Sequence, residues 1–461
     1  MLRRCRYPLD VLLALVIVGV TVLRVALFHR RVSAEFPGLV VLDGSYTFEE
    51  IDERDLHWSI SGRDCEGLFD HVWSVHPMVG AAEQSPIGSP LRVRELSPWH
   101  TFVEAHTSVG QPWSAFPLTA FALSQRQLLR YLQRLVCSGR VSAIRVGDPY
   151  YLGLLGHLLV RRTNLIFAVR ISGDYDAAFE ATGRPAYPRL LRSRRVEKWI
   201  DRFILRRAEL VFAPTSRYRA FAIANGATME SCVIVPFGGL LHPSHVVDPV
   251  DRLPLRPELG LGQRPVLVSV TRLEPVKRAV DLVEVLVGVR ERFPDASLVV
   301  VGEGSQREEI LELVDRRGLV GDFLLVGSRD QEWIASFLAE ADVVIAPMMG
   351  RALVEAALSA TPVVAYDTDW HDELIDDGET GRLVPCGDFS AMTSAVCDLL
   401  TQPEFGRVMG GLARLRAMDL MSRDTVLAAE SEAWVRLVPH LVGEDTRDSD
   451  GPSKTEGTDE R

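Results

Sequence analysis

Residues 341–367 read ADVVIAPMMGRALVEAALSATPVVAYD and hold the side chains best placed for chemistry. An apolar run enters a short loop ending at Gly350. A helical stretch then carries Glu355 on its second turn, and a Thr361-Pro362 break precedes a second apolar run. A glycine at a helix start lets backbone N–H groups close on a phosphate. A carboxylate just over one turn further on can accept both hydroxyls of a ribose. That chemistry is nucleotide binding. An ordinary strand–helix–strand unit with a surface Glu355 has the same pattern, so the neighbouring segments have to decide.

They repeat the theme. The apolar run 266–270 leads into Thr271-Arg272-Leu273-Glu274-Pro275-Val276-Lys277. Arg272 and Lys277 can hold a diphosphate there, the Arg fork taking two oxygens; a solvated basic pair is the plainer alternative. Run 297–301 leads to Gly302-Glu303-Gly304, a tight turn opening a helix, and run 323–326 to Gly327-Ser328, a backbone platform for a nucleobase. Run 363–366 ends in Asp367-Thr368-Asp369-Trp370-His371-Asp372-Glu373, and an acidic glycine turn, Asp376-Asp377-Gly378-Glu379-Thr380-Gly381, follows. Five successive strand ends with polar or glycine chemistry point to one site.

The elements that position these residues follow from periodicity. Strands are expected at 39–42, 71–76, 91–94, 143–146, 165–169, 210–213 and 232–235, with helices at 118–136, 150–162, 195–207 and 217–225 between them. Residues 241–264 hold four prolines and no periodicity, which reads as a linker. Alternation restarts with strands at 266–270, 297–301, 323–326, 343–346, 363–366 and 382–384. The helices there are 278–293, 305–317, 331–340, 351–359 and 391–400. Strands separated by helices mean two parallel α/β sheets, each covered on both faces. Such sheets bind ligands at the carboxyl ends of their strands, and two of them joined by a linker enclose a cleft.

This serial pattern resembles the carboxyl-terminal domain of the retaining nucleotide-sugar glycosyltransferases of family 4, which have the two-domain GT-B fold. Four matches carry the resemblance: Arg272-Leu273 with Lys277; Val301-Gly302-Glu303-Gly304; Leu353-Val354-Glu355-Ala356-Ala357 leading to Thr361-Pro362-Val363-Val364-Ala365; and Asp377-Gly378-Glu379-Thr380-Gly381 with Pro385 beyond. They span residues 265–400. In the first half the matches are the strand–helix alternation, Arg170-Ile171-Ser172-Gly173-Asp174-Tyr175 and Gly238-Gly239-Leu240. The resemblance implies that Arg272 and Lys277 neutralise the donor diphosphate as a leaving group. It implies that Gly350 and Arg351 offer backbone N–H groups to the same phosphates and that Glu355 holds the ribose; Gly302, Gly304 and Gly327, at the neighbouring strand ends, are candidates to line the nucleotide. Two departures stand out. Where the family has a first, sugar-facing glutamate, this chain has Pro347, with Met348 next. Where the family has a glycine-rich loop beside the sugar, this chain has Asp367-Thr368-Asp369-Trp370-His371; Asp369 and His371 are the candidates to replace the lost sugar contact. Glu373 stands where the family commonly has a Glu before an aliphatic pair.

In the first domain His76, His100, His106, Arg170 and Asp174 lie near expected strand ends. Asp174 is the choice for a catalytic contact, because Gly173 implies a tight turn facing the cleft. Trp73, Trp99 and Trp113 read as core or interface anchors. Three Asp-x-Asp strings occur, at 174–176, 367–369 and 448–450, but a chain with 62 acidic residues yields several by chance, so no metal site is expected. Six scattered cysteines without a Cys-x-x-Cys pair fit a reducing compartment. A net charge of −11 argues against nucleic acid as a partner.

The amino terminus carries a membrane signal. Residues 11–23 are apolar or nearly so, and 9–28 would cross a bilayer with Asp10 and Arg24 near the ends, where they could reach the headgroups. A single anchor is expected; a cleaved signal peptide and a buried core segment are the alternatives. The domains expected are the hydrophobic segment 1–35, an acceptor-side domain 36–240, the linker 241–264, a nucleotide-sugar domain with a closing helix 265–441, and a disordered acidic tail 442–461. In that tail, residues 444–461 hold seven acidic and three basic residues.

The expected function is transfer of a sugar from a nucleotide-diphosphate donor to a lipid-linked or polysaccharide acceptor on the cytoplasmic side of a membrane. The nucleotide sugar is a co-substrate, and no separate cofactor is expected. A non-catalytic nucleotide-sugar-binding scaffold and a nucleotide-sugar epimerase are the alternatives.

Overall fold

Apolar runs of four or five residues bounded by polar loops form the strands of two sheets in the computed structural model. The model describes residues 2–28, 37–54, 56–79, 91–106, 116–186, 193–237, 241–249 and 254–437. The amino-terminal sheet comprises β1 (Gly38–Leu42), β2 (His71–Val79), β3 (Leu91–Ser97), β4 (His100–His106), β5 (Ala143–Val146), β6 (Ile166–Arg170), β7 (Leu210–Ala213) and β8 (Cys232–Ile234). Their order is β3-β4-β2-β1-β5-β6-β7-β8. The carboxyl-terminal sheet comprises β9 (Val266–Val270), β10 (Ser297–Val301), β11 (Phe323–Gly327), β12 (Val343–Ala346), β13 (Val363–Asp367) and β14 (Arg382–Pro385), in the order β11-β10-β9-β12-β13-β14. Every pairing of this second sheet is parallel. The strand order reverses between β9 and β12, the point at which open parallel sheets place their ligands.

Two expectations about the first sheet are corrected. It is not wholly parallel, because β3 runs antiparallel to β4 as a short edge hairpin. β4 itself escapes periodicity: HTFVEAH places His, Thr and Glu at buried positions. They are tolerated because they are bonded. His100 meets the Ser74 hydroxyl at 2.7 Å, Thr101 meets His71 at 2.9 Å, and the Glu104 carboxylate accepts from the Phe48 N–H at 2.8 Å.

The expected linker lacks regular strands or α-helices in its described part, yet it does not hang free. Its described part is seated on the carboxyl-terminal domain by side chains instead of a ladder. Buried His245 faces Gln331 at 2.9 Å, the Glu340 carboxylate accepts from the Leu255 and Arg256 N–H groups, and Leu255 and Leu261 enter the core.

The last helix, Arg423–Val435, leaves the second domain and covers the first sheet. Trp434 is fully buried with ring centroids 5.4 Å from both Phe69 and Phe212, and Glu430 pairs with Arg145 of β5. Its structural place is with the amino-terminal domain, outside the 265–441 unit the sequence suggested. The acidic tail 442–461, Gly238-Gly239-Leu240 and Trp113 lie outside the described residues.

The hydrophobic segment is a helix, Leu2–Phe28, long and apolar enough by length and composition to cross a membrane. Asp10 does not point away from the protein. Its carboxylate accepts from the Leu118 N–H at 3.0 Å, the Thr119 N–H at 2.8 Å and the Thr119 hydroxyl at 2.7 Å, at the start of helix Pro117–Cys137.

Trp434→Ala removes the indole that joins the last helix to the first sheet. The variant is expected to lose about 3–5 kcal/mol in urea unfolding. A loss below about 1 kcal/mol would mean that the helix is only loosely applied.

Candidate functional site

The ends of β9, β10 and β11 are drawn together by backbone bonds. The Thr271 N–H donates to Val301, Leu273 to Glu303 and Gly302 to Gly327, all within 3.0 Å. Two glycines permit this. A Cβ at Gly302, whose φ is +143°, would stand 2.0 Å from the Thr271 carbonyl oxygen, and one at Gly304 would stand 2.3 Å from that of Leu273. The Gly-x-Gly turn therefore supports the loop that carries Arg272 before it serves any ligand. Gly327, at φ +74°, closes the same platform.

On this platform Arg272 is exposed and Lys277 half-buried, in a single 3-10 turn, Pro275–Lys277. Burial lowers the Lys277 ammonium pKa; Arg272 lowers it further, while Asp369 opposes the shift. Both side chains line a cleft of about 550 Å³ at the β9/β12 reversal, within the size range of small-molecule sites. Gly350 and Arg351 line its opposite wall; a Cβ at Gly350 would meet nothing within 4 Å.

Glu355 is 3% exposed on helix Ala352–Leu358 and also lines the cleft. Its charge is balanced by the Arg351 Nε at 3.0 Å, and the Arg351 guanidinium lies 5.6 Å from the Trp58 ring centroid. Tyr46 and Arg54 complete the cleft from the amino-terminal domain. Sequence reasoning missed all three. Tyr46, Arg54 and Trp58 occupy irregular chain or short helical turns after β1, where no periodicity marks which residues face a neighbouring domain.

The loop after β13 behaves differently from expectation. His371 does not face a sugar. It is fully buried, with Nδ1 2.9 Å from the Tyr366 carbonyl oxygen and Nε2 3.0 Å from that of Met349. Burial pulls its pKa down, against the pull of those two carbonyls. A neutral imidazole has one N–H to donate, so it serves one carbonyl at a time. His371 thus lies between the end of β13 and the Pro347–Gly350 loop, and acts on the site through Met349. Asp369, at φ +53°, holds the left-handed backbone conformation that favours glycine. Its carboxylate accepts from the Tyr218 hydroxyl at 2.8 Å, and its carbonyl from Arg217 at 3.0 Å. Burial raises the Asp369 pKa while Tyr218, His371 and nearby cations lower it.

Glu373 is a second link between domains. Its carboxylate accepts from the Ser216 N–H and hydroxyl, each at 2.9 Å, and from the Arg217 N–H at 3.2 Å. These groups lie at the start of helix Ser216–Ala224, where a carboxylate also meets the positive end of the helix dipole. A Glu in an acidic stretch gives no sequence signal for such a partner.

The amino-terminal candidates fare less well. Asp174 is a helix N-cap: its Oδ1 accepts from the Asp176 and Ala177 N–H groups, both at 3.0 Å, and it does not line the cleft. The turn after Gly173 is real, but its chemistry is capping. Asp176 is held by Arg194 and Lys198. His76, His100 and His106 are buried in β2 and β4; burial drives the His100 pKa down to about 3, so it is neutral. Arg170 ends β6, its pKa lowered by burial. Trp73 lies in the core and Trp99 stacks on His100. Among the described residues no three His, Cys, Asp or Glu side chains converge as a metal-binding set.

Residues 251–416 match the family model described as glycosyl transferases group 1. The chain is 27% identical over 314 residues to the GDP-mannose-dependent alpha-(1-6)-phosphatidylinositol monomannoside mannosyltransferase of Mycolicibacterium smegmatis, covering 65% of this chain and 78% of that one. Two other curated relatives are matched over 55% and 34% of their own length. The fold superposes on sucrose-phosphate synthase from Thermosynechococcus elongatus with a TM-score of 0.68 at 19% identity, over 87% of this chain and 99% of that one. It also superposes on an Anabaena protein crystallised with UDP-glucose, with a TM-score of 0.58 at 17% identity and the same two coverages. The architecture is GT-B.

His371→Leu leaves the Met349 and Tyr366 carbonyls without their shared partner. The expected result is a stability loss of about 1–3 kcal/mol together with weaker nucleotide binding in a thermal-shift titration. Unchanged nucleotide affinity in a folded variant would detach His371 from the site.

Proposed function

With the carboxyl-terminal domain a member of the group 1 glycosyl transferases, we propose that this protein is a retaining, metal-independent hexosyltransferase. In this reading it moves a sugar from a nucleotide-diphosphate donor to a lipid-linked acceptor at the cytoplasmic face of a membrane. The observation that carries the reading is the set of groups at the β9/β12 reversal. Two cations, Arg272 and Lys277, share one cleft with the buried Glu355 carboxylate. That set is complementary to a diphosphate joined to a ribose. The lipid acceptor is supported by the Mycolicibacterium relative, whose name specifies a phosphatidylinositol monomannoside, and by the apolar amino-terminal helix.

Each residue has a task in this reaction. Glu355 accepts the ribose hydroxyls and fixes the donor along the cleft. The bond between the anomeric carbon and the diphosphate oxygen breaks, leaving positive charge on the sugar and negative charge on the leaving group. Arg272 and Lys277 stand where that negative charge develops, so their stabilisation is greater in the transition state than before it. The acceptor hydroxyl oxygen bonds to the same face of the sugar that the diphosphate leaves, and its proton passes to the departing diphosphate oxygen. Pro347 supplies no carboxylate to the sugar. Asp369 is our candidate to replace it: its carboxylate, held by the Tyr218 hydroxyl at the domain boundary, is near enough to Lys277 to oppose the lowering of its pKa.

Lys277→Ala is expected to lower kcat by about 10²–10³, whereas Glu355→Gln is expected chiefly to raise the donor KM. The wild-type protein should release nucleoside diphosphate slowly from its donor without acceptor and keep full activity in excess chelator. Nucleotide-sugar binding without any diphosphate release would favour a scaffold. Loss of activity on chelation would overturn the metal-independent reading.

A further inference from the structure

The amino-terminal helix presents one narrow stripe to the protein and a broad apolar face outward. Asp10, Thr21 and Val25 are buried, and Ala14 and Ile17 between them are half-covered, a spacing of three and four residues that follows one side of the helix. On the other side Leu12, Leu15, Val16 and Leu23 are 55–64% exposed.

Helix Pro117–Cys137 runs beside it in the same direction. At one end Asp10 meets Leu118 and Thr119. At the other end Arg24 is near Arg130: burial and then Arg126, Arg24 and Arg134 lower the pKa of the Arg130 guanidinium. The intervals, 14 residues on one helix and 12 on the other, correspond to about 21 Å and about 18 Å, so the two helices stay side by side along most of the apolar stretch.

This pairing constrains how the helix can meet a bilayer. Crossing it while still docked would carry Arg126, Arg130 and Arg134 into hydrocarbon, where charged side chains are costly. Crossing it alone would strip the Asp10 carboxylate of three donors and uncap helix Pro117–Cys137. Lying along the surface avoids both. The apolar face enters the acyl boundary, and the arginines reach headgroup phosphates on their apolar stems.

We infer that helix Leu2–Phe28 lies in the plane of an anionic membrane, held to the amino-terminal domain by Asp10, and does not span it. This deepens the proposed function by fixing how the cleft is presented to a lipid-linked acceptor. It rests on that reading for its purpose, while its geometry stands on Asp10 and the arginines.

The test uses the full chain with one epitope tag at each terminus, in sealed inverted membrane vesicles. External protease is expected to remove both tags. Protection of the amino-terminal tag alone would overturn the in-plane helix and leave the membrane reading intact. In flotation, the purified protein is expected to follow vesicles of phosphatidylcholine with phosphatidylglycerol in preference to phosphatidylcholine alone. Arg126→Glu with Arg130→Glu should weaken that binding about tenfold or more; equal binding by the double variant would overturn the arginine role. Asp10→Leu should convert the amino-terminal tag to a protected one, and continued cleavage of the tag would overturn Asp10 as the tie. Flotation with neither lipid would overturn both the inference and membrane association. Transfer measured on detergent-dispersed acceptor reads the enzymatic proposal separately.

Discussion

Arg272 and Lys277 are like charges held at the end of one strand, and their repulsion is the constraint the site is built around. Lys277 carries the mark of it in a pKa lowered by burial and by its neighbour, with Asp369 as the opposing charge. Such a pair drifts apart unless the backbone beneath it is fixed. Backbone bonds among the ends of β9, β10 and β11 do this, and they form only because Gly302 and Gly304 have no side chain to hold the loops apart. The cost of placing the cations is thus met in the scaffold, which is the preorganisation that the proposed transfer of a sugar from a nucleotide diphosphate would draw on.

The opposite wall follows a similar logic with the signs reversed. Glu355 is a carboxylate buried at a helix start, and Arg351, one turn earlier, balances it. Arg351 is in turn placed over Trp58 of the other domain. Arg351 thus joins the Glu355 wall of the cleft to the facing domain. The Asp369–Tyr218 and Glu373–Ser216 contacts tie the same two domains on the β13 side.

Much of the second domain was legible in its sequence because the signals there are local. The strands at 266–270, 297–301 and 343–346 have the bounds their apolar runs suggested, since a strand buried on both faces is a continuous apolar run between turn residues. The cleft residues Arg272, Lys277, Gly350, Arg351 and Glu355 were legible through their order at strand ends. What was hidden depends on partners distant in sequence. β4 carries His, Thr and Glu because Phe48, Ser74 and His71 bond them. Asp174 looked like chemistry and is a cap. His371 looked like a sugar contact and is a tie between two carbonyls. Tyr46, Arg54, Trp58 and Glu373 matter through the facing domain, and no local pattern encodes that.

Arg145 and Glu430 are 285 residues apart in the chain. Their pairing means that the polypeptide leaves its first domain, builds the whole second one, and only then returns to complete the first. During synthesis the face of the first sheet that receives Trp434 stays uncovered, and Arg145 lacks its Glu430 partner, until the last helix emerges from the ribosome. The amino-terminal domain is thus begun first and finished last. A chain that stops short of residue 423 would lose the first domain's covering helix while keeping every residue that lines the cleft.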